Sequence, residues 1–520
     1  MRTWKFADAK VSLVPAWTSA EVHAAVNALI AGFESRLPAD RGARVVIKPN
    51  LNNDLVALTG NCADLRVLDA LFANLRDRGY HDITVADGSN VGVERRDIDT
   101  FKRLRLDRLA ARFGVRCVDL NHAPGRELPL RAGGKPSVAE LVLDAECLIS
   151  VPKVKTHAEA TLSCAMKNWV GICRGQQKRE VHRDLGWNIL ALNERVRPHL
   201  ILVDGLVGME GNGPGDGQPF RLGQLIASDN AFVNDLVVSR LMGVPWREVP
   251  YLARAVEARV IHPALPVEVE AEVPVLRPIL RAPRRSKLAE LSELGSLRFL
   301  KLAVRPLVER PRVAEAAYKL KIVQDVYSRT DDTITGFVRN PAVCGDCRKC
   351  EEVCPTQIPL ARIGLEPMDK DCIGCMYCWW VCPQQAITLR GELNHLERQV
   401  KRYKAEVEAL LSPSGSARRW RPSRRMCARW PRSRTAWPGS PATAPCGCGG
   451  TTPASRPWLR WPCAASGGWR PGTPSPACAS AGCPARRWCG SASARTPARR
   501  WGSPGPWGRR GWLGWPPPRR

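Results

Sequence analysis

Cys344-x2-Cys347-x2-Cys350-x3-Cys354-Pro355 and Cys372-x2-Cys375-x2-Cys378-x3-Cys382-Pro383 are one pattern written twice. Three thiolates spaced two residues apart wrap one face of an iron–sulfur cube. The fourth cysteine, just before a proline, points away and ligates the other cube. The pattern therefore assigns one [4Fe–4S] cluster to Cys344, Cys347, Cys350 and Cys382, and a second to Cys372, Cys375, Cys378 and Cys354. Structural zinc commonly uses two CxxC pairs set well apart, which is not this spacing. Disulfides would leave the duplication unexplained, and the chain's start, Met1–Trp17, has no basic segment followed by an apolar run.

From about Asn340 to Arg390 the chain resembles the two-cluster bacterial ferredoxins, with all eight ligand positions filled. That resemblance implies a small α+β module and one-electron transfer at low potential. The halves differ around their ligands: Asp346, Arg348, Lys349, Glu351 and Glu352 in the first, Ile373, Met376, Tyr377, Trp379, Trp380 and Val381 in the second. Burial and solvent access tune cluster potential, so two inequivalent clusters are expected.

A chain of 520 residues predicts several domains. Its net charge of +28 suggests a nucleic-acid binder, but the charge is unevenly spread. Residues 412–520 hold 20 Arg, no Lys and no acidic residue, leaving 58 basic against 50 acidic residues before them, a net of +8. The same segment holds 11 of the 18 Trp and 7 of the 20 Cys but no Ile, Val, Phe, Tyr, Asn or Gln. Disordered tails are poor in aromatics, and folded ones need aliphatic periodicity. A frameshifted read of a GC-rich gene explains the composition best, ahead of an Arg-rich nucleic-acid tail. No nucleic-acid partner is expected, no stretch reaches the length of a membrane span, and a reducing cytoplasm suits the clusters.

Upstream, strand and helix alternate. Arg44–Lys48, Asp82–Ala86, Val115–Leu120, Leu141–Val151 and Leu200–Asp204 read as strands, and Asp64–Gly79 and Ile98–Phe113 as helices. That alternation predicts an α/β domain with a largely parallel sheet. Polar residues gather just past strand ends: Lys48 and Asn50, Asp87 and Ser89, Lys153 and Lys155, and Asp204. In open α/β sheets that edge is where ligands bind. Lys153, Lys155, His157 and Lys167 are the candidate catalytic groups. Lysine can hold an anion as a point charge or serve as a base when desolvated. Lys48, Asn50, Asp87, Ser89, Asn168, Asp204, Glu210 and Asn212 are the candidate substrate contacts, and His182 is a further one. Gly205–Gly217 carries glycines in an order that is not GxGxxG, and it reads as a turned or mobile loop over the site.

Three stretches, Val151-Pro-Lys-Val-Lys-Thr-His157, Met166-Lys-Asn-Trp-Val-Gly171 and Val203-Asp-Gly-Leu-Val-Gly-Met-Glu-Gly-Asn-Gly-Pro214, resemble the domain-of-unknown-function family 362. The resemblance runs from about Val45 to Gly243. It implies fusion to a ferredoxin module and supplies architecture more than mechanism. The family's Asp-Pro before the next helix is here Asp229-Asn230-Ala231.

The domains expected are an α/β domain (1–249), a Pro-rich and helical connector (250–339), the two-cluster module (340–390), a helix (391–411) and a tail without fold (412–520). Within the connector, Lys287–Leu307 reads as an amphipathic basic helix. The expected function is electron transfer through two [4Fe–4S] clusters to or from an α/β domain that binds a small anionic molecule, as in a reductase. The competing reading is a non-catalytic electron carrier or maturation partner that docks another protein.

Overall fold

The computed structural model describes residues 1–279, 281, 283, 329–345 and 347–410. All fall within one of the chain's two units, Met1–Arg424. The other unit lies outside the described residues, as do the expected helix Lys287–Leu307, the tail 412–520 and Asp346.

The strands in chain order are β1 (Arg2–Phe6), β2 (Ala9–Pro15), β3 (Val45–Lys48), β4 (Ile83–Asp87), β5 (Arg116–Asp119), β6 (Gly125–Glu127), β7 (Ser137–Ala139), β8 (Cys147–Ser150), β9 (Lys153–His157), β10 (Thr161–Ser163), β11 (Leu200–Asn212) and β12 (Asp216–Ser228). The main sheet runs β1-β2-β12-β11-β8-β3-β4-β5, with β9 and β10 branching from β11. The pairs β11/β8, β8/β3, β3/β4 and β4/β5 are parallel, and an antiparallel edge is added by β12, β2 and β1. Val45-Val-Ile-Lys48 and Ile83-Thr-Val-Ala-Asp87 are buried along their whole length, as strands covered on both faces must be.

Helix α1 (Ser19–Gly32) starts with a capping box in which Thr18 and Glu21 satisfy each other's backbone N–H. Helix α2 (Leu65–Asp77) is capped by Asp64, which accepts from Arg66 N. Both helices cover the same face of the sheet.

Three sequence expectations need correction. The apolar run Leu141–Val151 is not one strand: Glu140–Leu143 is a helical turn, and only Cys147–Ser150 pairs with β3 and β11. The helix expected over Ile98–Phe113 breaks into Thr100–Arg103 and Leu106–Arg112, because Arg105 takes a left-handed conformation at φ 63°. Gly205–Gly217 is not a loose loop. Most of it is a hairpin in which β11 pairs with β12 up to Asn212↔Asp216. Its glycines make room: a Cβ at Gly208 would lie 2.4 Å from the Phe220 ring, and one at Gly217 would lie 2.3 Å from Met209 Cγ. At the family's departure, Asn230 caps the helix Ala231–Leu241 by accepting from Phe232 N and Val233 N, and Asp229 pairs with Arg36 at 2.7 Å.

The cysteine-bearing region is closed by β13 (Thr333–Arg339) and β14 (Ile387–Glu392), which pair antiparallel. It packs on the α1/α2 side of the sheet, where Ile373, Met376, Tyr377 and Trp380 join the same buried apolar cluster as Leu65, Leu68 and Phe72. Among the described residues no helix is long and apolar enough to cross a membrane.

Candidate functional site

The duplication seen in the cysteine spacing is repeated in the backbone. Arg348 and Met376, each between the second and third cysteine of its run, both lie in the left-handed region (φ 57° and 63°). Gln357 and Gln385, each three residues past the fourth cysteine, do the same (φ 55° and 51°). Ile358 N lies 3.4 Å from Cys354 Sγ, and Ala386 N lies 3.2 Å from Cys382 Sγ, so each fourth sulfur accepts the same backbone N–H. Such bonds tune cluster potential.

The eight thiols surround two hollows. Cys354 lies with Cys372, Cys375 and Cys378, beside Phe337, Ile373 and Tyr377. Cys382 lies with Cys344, Cys347 and Cys350, beside Arg339, Arg348 and Gln384. Arg362 and Asp369 also line the first hollow, and Leu360 and Ile387 the second, where Cys347 is exposed. Burial pushes the Cys375 and Cys378 thiols well above their usual range and Cys350 up to about 11. Sulfurs in these places stay neutral thiols unless a cation holds them as thiolates. Among the described residues no three His, Cys, Asp or Glu side chains close on a single-ion position. Four thiols spread round a hollow and donating sulfur alone fit a cube.

A second site lies at the carboxyl ends of β3 and β4. Lys48, Asn50, Asp87, Lys155, His157, Lys167 and Asn168 line one cavity of about 310 Å³, within the range of small-molecule sites. Lys48 Nζ is 2.6 Å from Asp87 Oδ1 and donates to Asn168 Oδ1 at 3.0 Å. Asn50 Nδ2 donates to the same oxygen, and its own Oδ1 accepts from Lys155 Nζ at 2.8 Å. These bonds form one chain from β9 through the two asparagines to β4.

Burial pushes Lys155 down to about 7, with Lys167 lowering it further against the opposing pull of Cys62 and Asp87. Burial likewise pushes Lys167 down to about 8. His157 is held well below its usual value by burial and by Lys167, His182 and Lys155, so its ring is neutral. Its Nδ1 accepts from Glu159 N at 3.1 Å and Ala160 N at 3.3 Å, which places the ring proton on Nε2.

Five sequence candidates lie elsewhere. Lys153 Nζ is 2.7 Å from Asp204 Oδ2, and both side chains are fully buried in a closed pair. Ser89 is buried and accepts from Asn121 Nδ2. Glu210 pairs with Arg277 at 2.8 Å. Asn212 sits at the tip of the β11–β12 hairpin. None of the five lines the cavity.

His182 does line it, together with Lys178, which the sequence reading passed over. The available signal was the Lys178/His182 spacing of four, which puts both on one helical face. Burial pushes Lys178 down to about 8, and its Nζ donates to Cys173 O at 2.5 Å.

Glycine ends the Met166–Gly171 stretch for a steric reason. A Cβ at Gly171 would lie 2.5 Å from Asp87 Oδ1 and 2.7 Å from Lys48 Nζ. Gly171→Ala is expected to lower stability by about 1–3 kcal/mol, the usual cost of overpacking, read as an earlier urea midpoint. An unchanged midpoint would mean that the Lys48–Asp87 pair yields freely.

Comparison with known proteins agrees with this division. Residues 45–240 match the domain of unknown function DUF362, and residues 367–388 match the 4Fe-4S binding domain. A thylakoid-associated protein of Synechocystis sp. is 31% identical over 118 residues, covering 21% of this chain and 37% of that protein. The chain thus matches little more than a third of that relative's length. Among solved structures, a Thermotoga maritima protein covers 39% of this chain and 53% of its own at 12% identity and a TM-score of 0.25. The lactate racemase apoprotein from Thermoanaerobacterium thermosaccharolyticum covers 42% and 54%, at 12% identity and a TM-score of 0.23. The 4Fe-4S match marks an iron–sulfur electron-transfer protein. The chain joins a DUF362 domain at residues 45–240 to a 4Fe-4S binding domain at residues 367–388.

Proposed function

We propose that this protein is a reductase that carries electrons through two [4Fe–4S] clusters to a small anionic molecule held in the 310 Å³ cavity. Bound clusters would supply one-electron transfer at low potential. Cys344, Cys347, Cys350 and Cys382 would hold one, and Cys372, Cys375, Cys378 and Cys354 the other.

The reading is carried by the segment Asn61–Leu65. At one end Lys155 Nζ, on the cavity wall, donates to Asn61 O at 2.9 Å. At the other, Leu65 N donates to the hydroxyl of Tyr377 at 3.3 Å, and Tyr377 lies between Cys375 and Cys378. Four residues span at most about 14 Å when fully extended, so one short segment links the cavity wall to a residue lining the hollow of Cys375 and Cys378. Tyr377 is fully buried. Cys347 is exposed, so a donor could approach the cluster of the first run at that residue. Lys155, Lys167 and His157 Nε2 would orient the anion, and the two lysines can also give it protons as it is reduced.

Two measurements test this. Anaerobically reconstituted protein is expected to hold about eight iron and about eight acid-labile sulfides; stoichiometric zinc without sulfide would remove the basis of the reading. Small anions that co-purify, identified by mass spectrometry, are then added to dithionite-reduced protein freed of excess reductant. Bleached cluster absorbance is expected to recover with one of them, and to recover at least about tenfold more slowly in Lys167→Gln, a barrier raised by about 1.4 kcal/mol. Recovery only with carrier proteins, unaffected by Lys167→Gln, would establish the carrier instead.

A further inference from the structure

Granting that the cavity is the ligand site, we propose that its ligand is a small dianion, a phosphate monoester or a short dicarboxylate, and that binding draws protons onto Lys155 and Lys167.

The first argument is the direction of the hydrogen bonds on the inner wall. Lys155 Nζ uses two N–H groups on Asn50 Oδ1 and Asn61 O and keeps one. Lys167 Nζ has no hydrogen-bond partner among the described residues, and it lies on the wall. His157 presents Nε2–H, because its Nδ1 already accepts two backbone N–H groups. The acceptors are occupied: Asn168 Oδ1 by Lys48 and Asn50, and Asp87 by Lys48, Leu51 N and Gly88 N. With the Asn168 and Asp87 oxygens already taken, a fully ionised oxyanion finds three donors on this wall. Buried donors left without acceptors cost about 1–3 kcal/mol each, so the site selects for acceptor oxygens.

The second argument is charge. Asp87 is the one carboxylate among the residues lining the cavity, and Lys48 neutralises it. Lys155 faces Cys62, Lys153 and Asp87, and Lys153 is itself neutralised by Asp204. Lys167 faces Lys48 and Glu159, and Glu159 is shared with His182 at 2.8 Å. Lys178 adds a further ammonium on the opposite wall. Lys155, Lys167 and Lys178 therefore lack a full counter-charge of their own. A monoanion balances one of the three and a dianion balances two.

The proton coupling follows in sign. Burial and mutual repulsion leave the empty-site values at about 7 for Lys155 and about 8 for Lys167, so the two lose their protons between about pH 6 and 9. A dianion favours their charged forms and raises both values. Protons are taken up on binding, and affinity falls as pH rises through that window.

Calorimetry on the reconstituted full chain decides the matter, with malonate and inorganic phosphate as dianions and acetate as the monoanion. At pH 8, in two buffers of different ionisation heat, roughly one proton is expected to be taken up per malonate. Affinity is expected to fall about tenfold per pH unit per proton above pH 8, and acetate to bind at least about tenfold more weakly. Lys167→Gln is expected to remove its own share of the buffer dependence, about half a proton at pH 8, and to cost at least about tenfold in affinity. Phosphate favoured over malonate points to a phosphate monoester, and the reverse to a dicarboxylate. Acetate binding as tightly as malonate, or dianion binding without proton uptake, overturns the dianion and leaves the cavity as a ligand site. If no anion binds and Lys167→Gln leaves cluster reoxidation unchanged, the cavity itself is not the site.

Discussion

Cys354→Ala is expected to abolish the cluster of the second cysteine run while leaving that of the first. Iron content should fall from about eight to about four, and the reduced protein should keep one of its two paramagnetic signals. The surviving signal should match that of Cys375→Ala and differ from that of Cys347→Ala, although Cys354 and Cys347 belong to the same run. The reason is placement: Cys354 Sγ shares its hollow with Cys372, Cys375 and Cys378, and Cys382 shares the other with Cys344, Cys347 and Cys350. The reciprocal variant, Cys382→Ala, should spare the signal that Cys354→Ala removes. Cys354→Ala and Cys347→Ala yielding the same residual spectrum would show that each run closes its own cluster. The hollow of Cys354 is walled by Phe337, Ile373 and Tyr377, part of the apolar cluster shared with α2. Emptying it should therefore loosen the contact with the DUF362 domain.

Sequence and structure agree where a residue's role depends on its chain neighbours, and part where it depends on a partner strand. The duplicated cysteine spacing is legible because it is local, and Arg348 and Met376 repeat it in the backbone as left-handed residues. β3 and β4 are legible because strands buried on both faces are continuously apolar. Leu141–Val151 is equally apolar, yet its first part is helical, since a short apolar run carries no period that separates strand from helix. The glycines of Val203–Pro214 look like a loop because glycine is common in turns. Here Gly208 and Gly217 admit the side chains of Phe220 and Met209 in the adjoining positions of a hairpin, and nothing local announces that packing. Within the cavity, Lys48, Asn50 and Asp87 could be placed from the rule that ligands gather at strand ends. The separate fates of Lys153 and Lys155 could not, because they are set by the register of β9 on β11.

That register gives the largest contrast expected in the α/β domain. Lys153 pairs with Asp204, whereas Lys155 pairs with Met209, the ladder shifting between them. Lys153 is thereby closed against Asp204 with neither side chain exposed, and Asp204 also accepts from Asp64 N and Leu206 N. Lys153→Met removes the cation and leaves a buried carboxylate, which typically costs about 3–5 kcal/mol. Burial already raises Asp204 above its usual range, and without Lys153 it should rise further. A carboxyl whose folded value is raised contributes stability at low pH and loses it as pH climbs. The variant's deficit relative to wild type should therefore be smaller at pH 5 than at pH 8. Lys155→Met should behave differently. It gives up two hydrogen bonds but also removes a buried ammonium that faces no carboxylate of its own, so stability should move by about 1 kcal/mol at most. What it loses is the ligand: malonate binding and reoxidation of the reduced clusters should both fail while the cluster spectra stay intact. Denaturation at the two pH values together with binding separates the cases. Equal stability losses in the two variants would mean that both lysines are structural, and a stable Lys153→Met that binds no anion would move the ligand from Lys155 to the Lys153–Asp204 pair.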